Sequence, residues 1–177
     1  MATRSLVTLV ALFANFVILE SRLAAQSTPT AIALSGTAAP AGGNYGAFPA
    51  SPASIFLPVV NSAGRVEFYS TLAGGSSTAG LFVGSPGSIT PIAIQGQVAP
   101  AGGNFTDSFS DNQLNAAGQV AFTCTLSSGK QACFVGLPGA LQLVALDGTA
   151  SPGGGTITHC FPARYLIQLG KSSFQLT

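Results

Sequence analysis

Charge is what this sequence has least of: 11 of its 177 residues are Lys, Arg, Asp or Glu, a share of 6% against roughly 25% in an average soluble domain. Six basic residues, scattered along the chain and balanced by five acids, cannot make a basic face, which excludes a reader of nucleic-acid phosphates. Trp is missing altogether, and the single histidine, His159, excludes a multi-histidine zinc site. After residue 26 no stretch shows helical amphipathic spacing. What fills the chain is 47% hydrophobic residues set among Gly, Ser, Thr, Pro and Asn, which is the composition of neither a disordered polyelectrolyte nor an ordinary cytosolic enzyme.

One long apolar run exists, Ser5 to Leu19, preceded by Arg4 and closed by Glu20-Ser21-Arg22-Leu23-Ala24-Ala25-Gln26. It is shorter than the roughly 20 residues a spanning helix needs. Residues 1–25 are therefore expected to be a secretory signal cut after Ala25, with 26–177 as the exported, secreted or extracytoplasmic chain. Removal leaves Arg65, Lys130, Arg164 and Lys171 against Glu67, Asp107, Asp111 and Asp147, a net charge of zero. Such a surface neither steers a charged partner nor adheres to anionic lipid, and no membrane span is expected in the mature chain.

Three passages repeat: Ala33-Leu34-Ser35-Gly36-Thr37-Ala38-Ala39-Pro40-Ala41-Gly42-Gly43-Asn44, then Ala93 to Asn104, then Ala145 to Thr156. A second phrase occurs at Asn61-Ser62-Ala63-Gly64-Arg65-Val66-Glu67-Phe68 and Asn115-Ala116-Ala117-Gly118-Gln119-Val120-Ala121-Phe122. A third pairs Leu81-Phe82-Val83-Gly84-Ser85-Pro86-Gly87 with Cys133-Phe134-Val135-Gly136-Leu137-Pro138-Gly139. Gly96 and Gly148 are 52 apart, whereas Gly36 and Gly96 are 60 apart, so the first copy carries insertions. The same offset of 52 maps Gly118 and Phe122 onto Gly170 and Phe174, which makes the tail a decayed third copy. Copies are expected over 31–90, 91–142 and 143–177.

Alternation sets the secondary structure. Val120, Phe122, Cys124 and Leu126 fall on one face of a strand and Ala121, Thr123 and Thr125 on the other, and Val66 to Leu72 does the same. Further strands are expected over Ala132 to Val135 and Leu141 to Leu146, after turns at Ser85-Pro86-Gly87 and Leu137-Pro138-Gly139, with a weaker one over Asn104 to Phe109. The fold class is all-β: tandem repeats of about 52 residues, each three to four short antiparallel strands resembling a propeller blade, with a β-sandwich as the alternative. Fewer than three copies are too few for closure, since propellers run from about four blades. The chain ends inside the third copy, and a fragment of a longer array is expected, because an open sheet edge invites aggregation.

The phrase Asn115-Ala116-Ala117-Gly118-Gln119-Val120-Ala121-Phe122 resembles the bacterial tandem repeat called NxxGxxAF, found in exported proteins with one of several alternative C-terminal anchors. The first copy departs from it at Glu67, where Ala is usual, and the third keeps only Gly170 and Phe174. The resemblance covers most of residues 31–177 and implies an exported or surface-displayed repeat protein of undefined activity. Truncation ahead of the anchor usual in such proteins is expected. Asn61, Gly64 and Phe68, like Asn115, Gly118 and Phe122, have a structural reading: Asn starts a turn, Gly supplies positive φ, and Phe fills the core.

Few residues are left for chemistry. If Ser128-Gly129 forms a two-residue hairpin turn, Cys124 faces Cys133 at a non-hydrogen-bonded pair, where they either form a disulfide or pack as two small apolar side chains. His159 and Cys160 are neighbours and would point to opposite faces of a strand, which is wrong for proton transfer. Asp107, Asp111, Asn112 and Asn115 are oxygen-rich without calcium-loop spacing and read as solvated turn residues. Gly170-Lys171-Ser172 lacks the first Gly of a phosphate loop, Tyr165 standing in that place. No catalytic residue, metal or cofactor is expected. The expected function is a non-enzymatic surface or structural module that touches glycans, proteins or copies of itself; the alternative is a ligand-binding or hydrolytic propeller whose site other blades complete.

Overall fold

The computed structural model describes residues 28–46 and 58–159. The expected signal at 1–25, Cys160, and Gly170 and Phe174 of the third copy lie outside the described residues. The chain divides into two units, Met1–Thr30 and Ala31–Thr177. Of the first, residues 28–30 are described and carry no regular structure.

The second unit is all-β among the described residues, as the alternation requires. Its first sheet holds β1 (Asn44–Tyr45), β2 (Val59–Val60), β3 (Val66–Ala73), β4 (Ala79–Ser85) and β5 (Ser88–Ile94). Its second holds β6 (Phe105–Leu114), β7 (Val120–Leu126), β8 (Gln131–Leu137) and β9 (Ala140–Leu146) in chain order. Every pairing is antiparallel, and neither sheet closes into a barrel. The Pro-Gly turns stand where expected, between Ser85 and Ser88 and between Leu137 and Ala140, with Gly87 at φ 76° and Gly139 at φ 75° in the position that glycine favours. The Gly before each turn is needed for space: a Cβ on Gly84 would strike the Ser88 carbonyl, and one on Gly136 the Ala140 carbonyl.

The unequal spacings of the sequence have a location. In the second sheet β6 alone pairs with β7 on the side away from β8, with Phe105 opposite Leu126 and Leu114 opposite Val120. In the first sheet two short strands share that place, Tyr45 of β1 opposite Leu72 and Val60 of β2 opposite Val66. Six more residues separate Tyr45 from Val60 than separate Phe105 from Leu114, and the β3–β4 hairpin is two residues longer than β7–β8. Those additions account for a spacing of 60 where the next is 52. Cuts at 90/91 and 142/143 fall inside β5 and β9, so the sheets end a few residues later than the phrase boundaries.

The three Gly-x-x-Ala-Pro-type passages fold alike. In the second, the Gly96 N–H donates to Phe105 O, Gln97 N to Ile94 O, Ala99 N to Gly103 O, Gly102 N to Ala99 O and Phe105 N to Gln97 O. The same five bonds occur from Gly36 to Tyr45 and from Gly148 to Ile157. The second passage begins as the first sheet ends at Ile94 and turns the chain into β6, and the third begins as the second sheet ends at Leu146.

The sheets pack through one seam. Leu81, Val83, Ile92 and Ala93 of the first sheet share a buried cluster with Phe105, Phe109, Phe122 and Phe134 of the second. Tyr69 of β3 meets Phe109 of β6 across it, ring centroids 6.3 Å apart. The opposite face of the first sheet has its own cluster of Tyr45, Phe68, Leu72, Phe82 and Ile94. Thus β4 is buried on both faces from Ala79 to Gly84.

Candidate functional site

The Asn and Gly residues of the two signature phrases meet at one end of the seam. Asn61 N donates to Arg65 O and Gly64 N to Asn61 O, closing a turn in which Gly64 sits at φ 73°. The Asn61 Oδ1 accepts from Ala63 N at 3.0 Å and Arg65 N at 2.9 Å. Asn115 and Gly118 build the same turn, with Asn115 Oδ1 accepting from Gln119 N at 2.9 Å. Turn initiation by Asn is as expected. Sequence reasoning missed the other end of the side chain: Asn61 Nδ2 donates to the Asn115 carbonyl at 2.8 Å, tying one signature turn to the next. In Asn115 the corresponding Nδ2 turns instead to its own Gln119 Oε1, also at 2.8 Å. A Cβ on Gly118 would run into the Arg65 guanidinium, so the first turn also lies over the second.

Asn61→Asp keeps the acceptor that holds the turn and loses the cross-seam donor, so it is expected to cost about 1 kcal/mol, measured by urea unfolding. Asn115→Asp loses only a bond within its own turn and is expected to cost less. Equal losses in the two variants would count against the cross-seam bond.

Phe68 and Phe122 fill the core as expected, both buried. Cys124 and Cys133 do not face one another. The Leu126 N–H donates to Lys130 O and Gly129 N to Leu126 O, so the hairpin loop has three residues, with Gly129 at φ 79°, where two were expected. The added residue shifts the register: Cys124 pairs with Ala132, and Cys133 with Thr123. A shift of one residue sends the side chains to opposite faces, which rules out a bridge between them. Cys124 is a buried free thiol, held up from its ordinary pKa first by burial and further by the charge of Asp107, against hydrogen bonds involving Thr106 and Ser108 that lower it. Peptide mapping without reductant is expected to yield no linked Cys124–Cys133 peptide, and alkylation of Cys124 should wait for unfolding.

The oxygen-rich stretch also differs from expectation. Asp107, Asp111 and Asn112 lie within β6, which continues beyond Phe109 to Leu114, and only Asn115 lies in a turn. The strand continues because the register slips between Ser110 and Gln113, leaving Asp111 and Asn112 together opposite Phe122. Asp111 takes φ 54°, and its Oδ2 accepts from Thr123 Oγ1 at 3.4 Å. Asn112 is 7% exposed, and its Oδ1 accepts no hydrogen bond. His159 is exposed, apart from these residues in the chain. Among the described residues no three His, Cys, Asp or Glu gather as metal ligands, and no helix is long and apolar enough to cross a membrane.

The most unusual side chain is Glu67, which the sequence marked only as a departure from Ala. It is 0% exposed, and neither Oε1 nor Oε2 has a hydrogen-bond partner. Burial pushes its carboxyl up from 4.5 to about 8. It pairs with Val59 and Val83, and so shares with Tyr69 the face of β3 that looks into the seam. The available signal was one acid on a strand whose second copy has Ala121 in its place.

No curated protein and no solved structure gives a significant match to the chain. Residues 17–174 match the family of unknown function DUF7453. That span is most of the sequence and includes both sheets and all three Gly-rich passages, and the chain belongs to this family.

Proposed function

We propose that the chain is an exported, non-catalytic β-repeat protein serving as a surface interaction or structural module, as its resemblance to NxxGxxAF proteins implies. The supporting observation is the use made of the copied residues: Asn61 and Asn115 organise turns, with Asn61 also tying the two together, and Phe68 and Phe122 fill the clusters. What is repeated is therefore the means of stacking one sheet on the next, which is the need of an array whose single copy cannot bury its own faces.

Two experiments test this. Amino-terminal sequencing of the chain recovered outside the cytoplasm is expected to begin at Gln26. A glycan array and a panel of hydrolase substrates, applied to that chain, are expected to show at most binding. Turnover abolished by changing Asp107, Asp111 or His159 would overturn the non-catalytic reading.

A further inference from the structure

Three buried oxygen atoms have no hydrogen-bond partner around one stretch of the seam: Oε1 and Oε2 of Glu67 and Oδ1 of Asn112. Their placement follows from two contacts that bracket them. At one end Tyr69 meets Phe109, and at the other Asn61 bonds the Asn115 carbonyl. Going from the first contact to the second, β3 passes from Tyr69 back through Glu67, and β6 passes from Phe109 forward through Asn112. Phe109 and Leu114, on either side of the irregularity, belong to the seam cluster. Asp111 is drawn to Thr123, whose neighbours Phe122 and Cys124 supply the seam face, so Asp111 takes the far side. Its buried neighbour Asn112 is left to the near side, toward β3.

Ionised, Glu67 would carry a full charge in an apolar seam with Asn112 Oδ1 beside it as a further unpartnered acceptor, a costly arrangement. One proton resolves it. We propose that Glu67 and Asn112 form a proton-dependent clasp between the two sheets, in which the neutral Glu67 carboxyl donates its hydrogen to Asn112 Oδ1. The clasp holds while the proton stays; when it leaves, two facing acceptors repel, and the Asn112 amide must turn away or present its Nδ2 instead.

The surroundings supply no counterion. On β3, Tyr69 shares the face, and Arg65 precedes the strand with its guanidinium against Gly118. The flanking strands present Val59 from β2 and Leu81 and Val83 from β4, while Tyr45 of β1 belongs to the opposite face with Phe68. From the second sheet come Asp107, which is exposed, Asp111, which is turned to Thr123, and the Cys124 thiol. None is a cation placed to neutralise Glu67.

The chain has two glutamates, Glu20 and Glu67, so carboxyl-labelled glutamate gives at most two signals, and Glu67→Gln identifies the one that matters. Infrared and NMR titration of the full chain are expected to show a neutral Glu67 carboxyl at neutral pH, losing its proton only well above the ordinary carboxylate range. In Asn112→Ala the midpoint is expected to fall by about 1 pH unit, because the neutral acid loses its acceptor. In the wild-type chain the Asn112 side-chain amide resonance is expected to follow the same titration, a readout that does not depend on any variant folding. An ordinary midpoint for Glu67, or an Asn112 amide that ignores the titration, would overturn the clasp.

Discussion

Raising the pH from about 5 to about 8 is expected to remove on the order of 4 kcal/mol from the unfolding free energy of the chain, and Glu67→Gln is expected to abolish most of that loss. The direction follows from proton counting. Below 4.5 the Glu67 carboxyl is protonated in both the folded and unfolded chain and contributes no slope. Between 4.5 and about 8 the unfolded chain gives up the proton and the buried carboxyl keeps it, so the folded state binds more protons and stability falls as pH rises. Above about 8 both states are ionised and the loss is complete. The separation of those values sets a ceiling on the order of 5 kcal/mol, reduced wherever water enters the seam. Most carboxylates do the opposite, being stabilised when charged and lost to acid. Against a typical total of about 5–15 kcal/mol the effect is large. Urea unfolding across the pH range, wild type against Glu67→Gln, measures it; parallel profiles would sink the prediction. Glu67→Ala, which copies Ala121 of the second sheet, is expected to overtake the wild type on the alkaline side.

Glu67 also shows where sequence reading stopped. Strand positions were legible because alternation at Val66–Leu72 and Val120–Leu126 is a property of adjacent residues, and the turns because Pro-Gly at 86–87 and 138–139 dictates its own backbone. Pairing was less legible. Whether the loop that ends at Gly129 has two residues or three is a matter of one αL glycine, yet it decides whether Cys124 meets Cys133 or Ala132. The irregularity at Asp111 and Asn112 was hidden for the same reason: a polar pair reads locally as a turn, and only the requirement that Phe109 and Leu114 both reach the seam keeps the strand going. Asn61 was read correctly for its acceptor and not for its donor, since the partner lies 54 residues away. The seam as a whole falls in this class, because it is made by contacts between copies and no single copy contains it.

Phe122→Ala is expected to be the most damaging of the signature substitutions, with a loss of about 4 kcal/mol. Its ring lies 6.1 Å from Phe105, 5.9 Å from Phe109 and 5.4 Å from Phe134 by centroid, with no solvent exposure. Removing it deletes apolar contact with all three and opens a void that the two-sided burial of β7 prevents from collapsing. Phe68, the matching residue of the first sheet, is 6% exposed, and among the described residues its ring lies 5.8 Å from Tyr45 and 5.5 Å from Phe82. Phe68→Ala is expected to cost less, about 3 kcal/mol, because that ring is not fully enclosed, and should leave the cross-seam contact of Tyr69 with Phe109 in place. The two losses also differ in reach. The Phe122 cluster includes Leu81 and Val83, so its failure loosens both sheets, whereas the Phe68 cluster lies on the first sheet's far face. Hydrogen exchange is the measurement that separates them: Phe122→Ala is expected to lower protection in β4 as well as β7, and Phe68→Ala to spare β7. Equal protection losses in both sheets for both variants would show that the seam is not the element on which the stack depends.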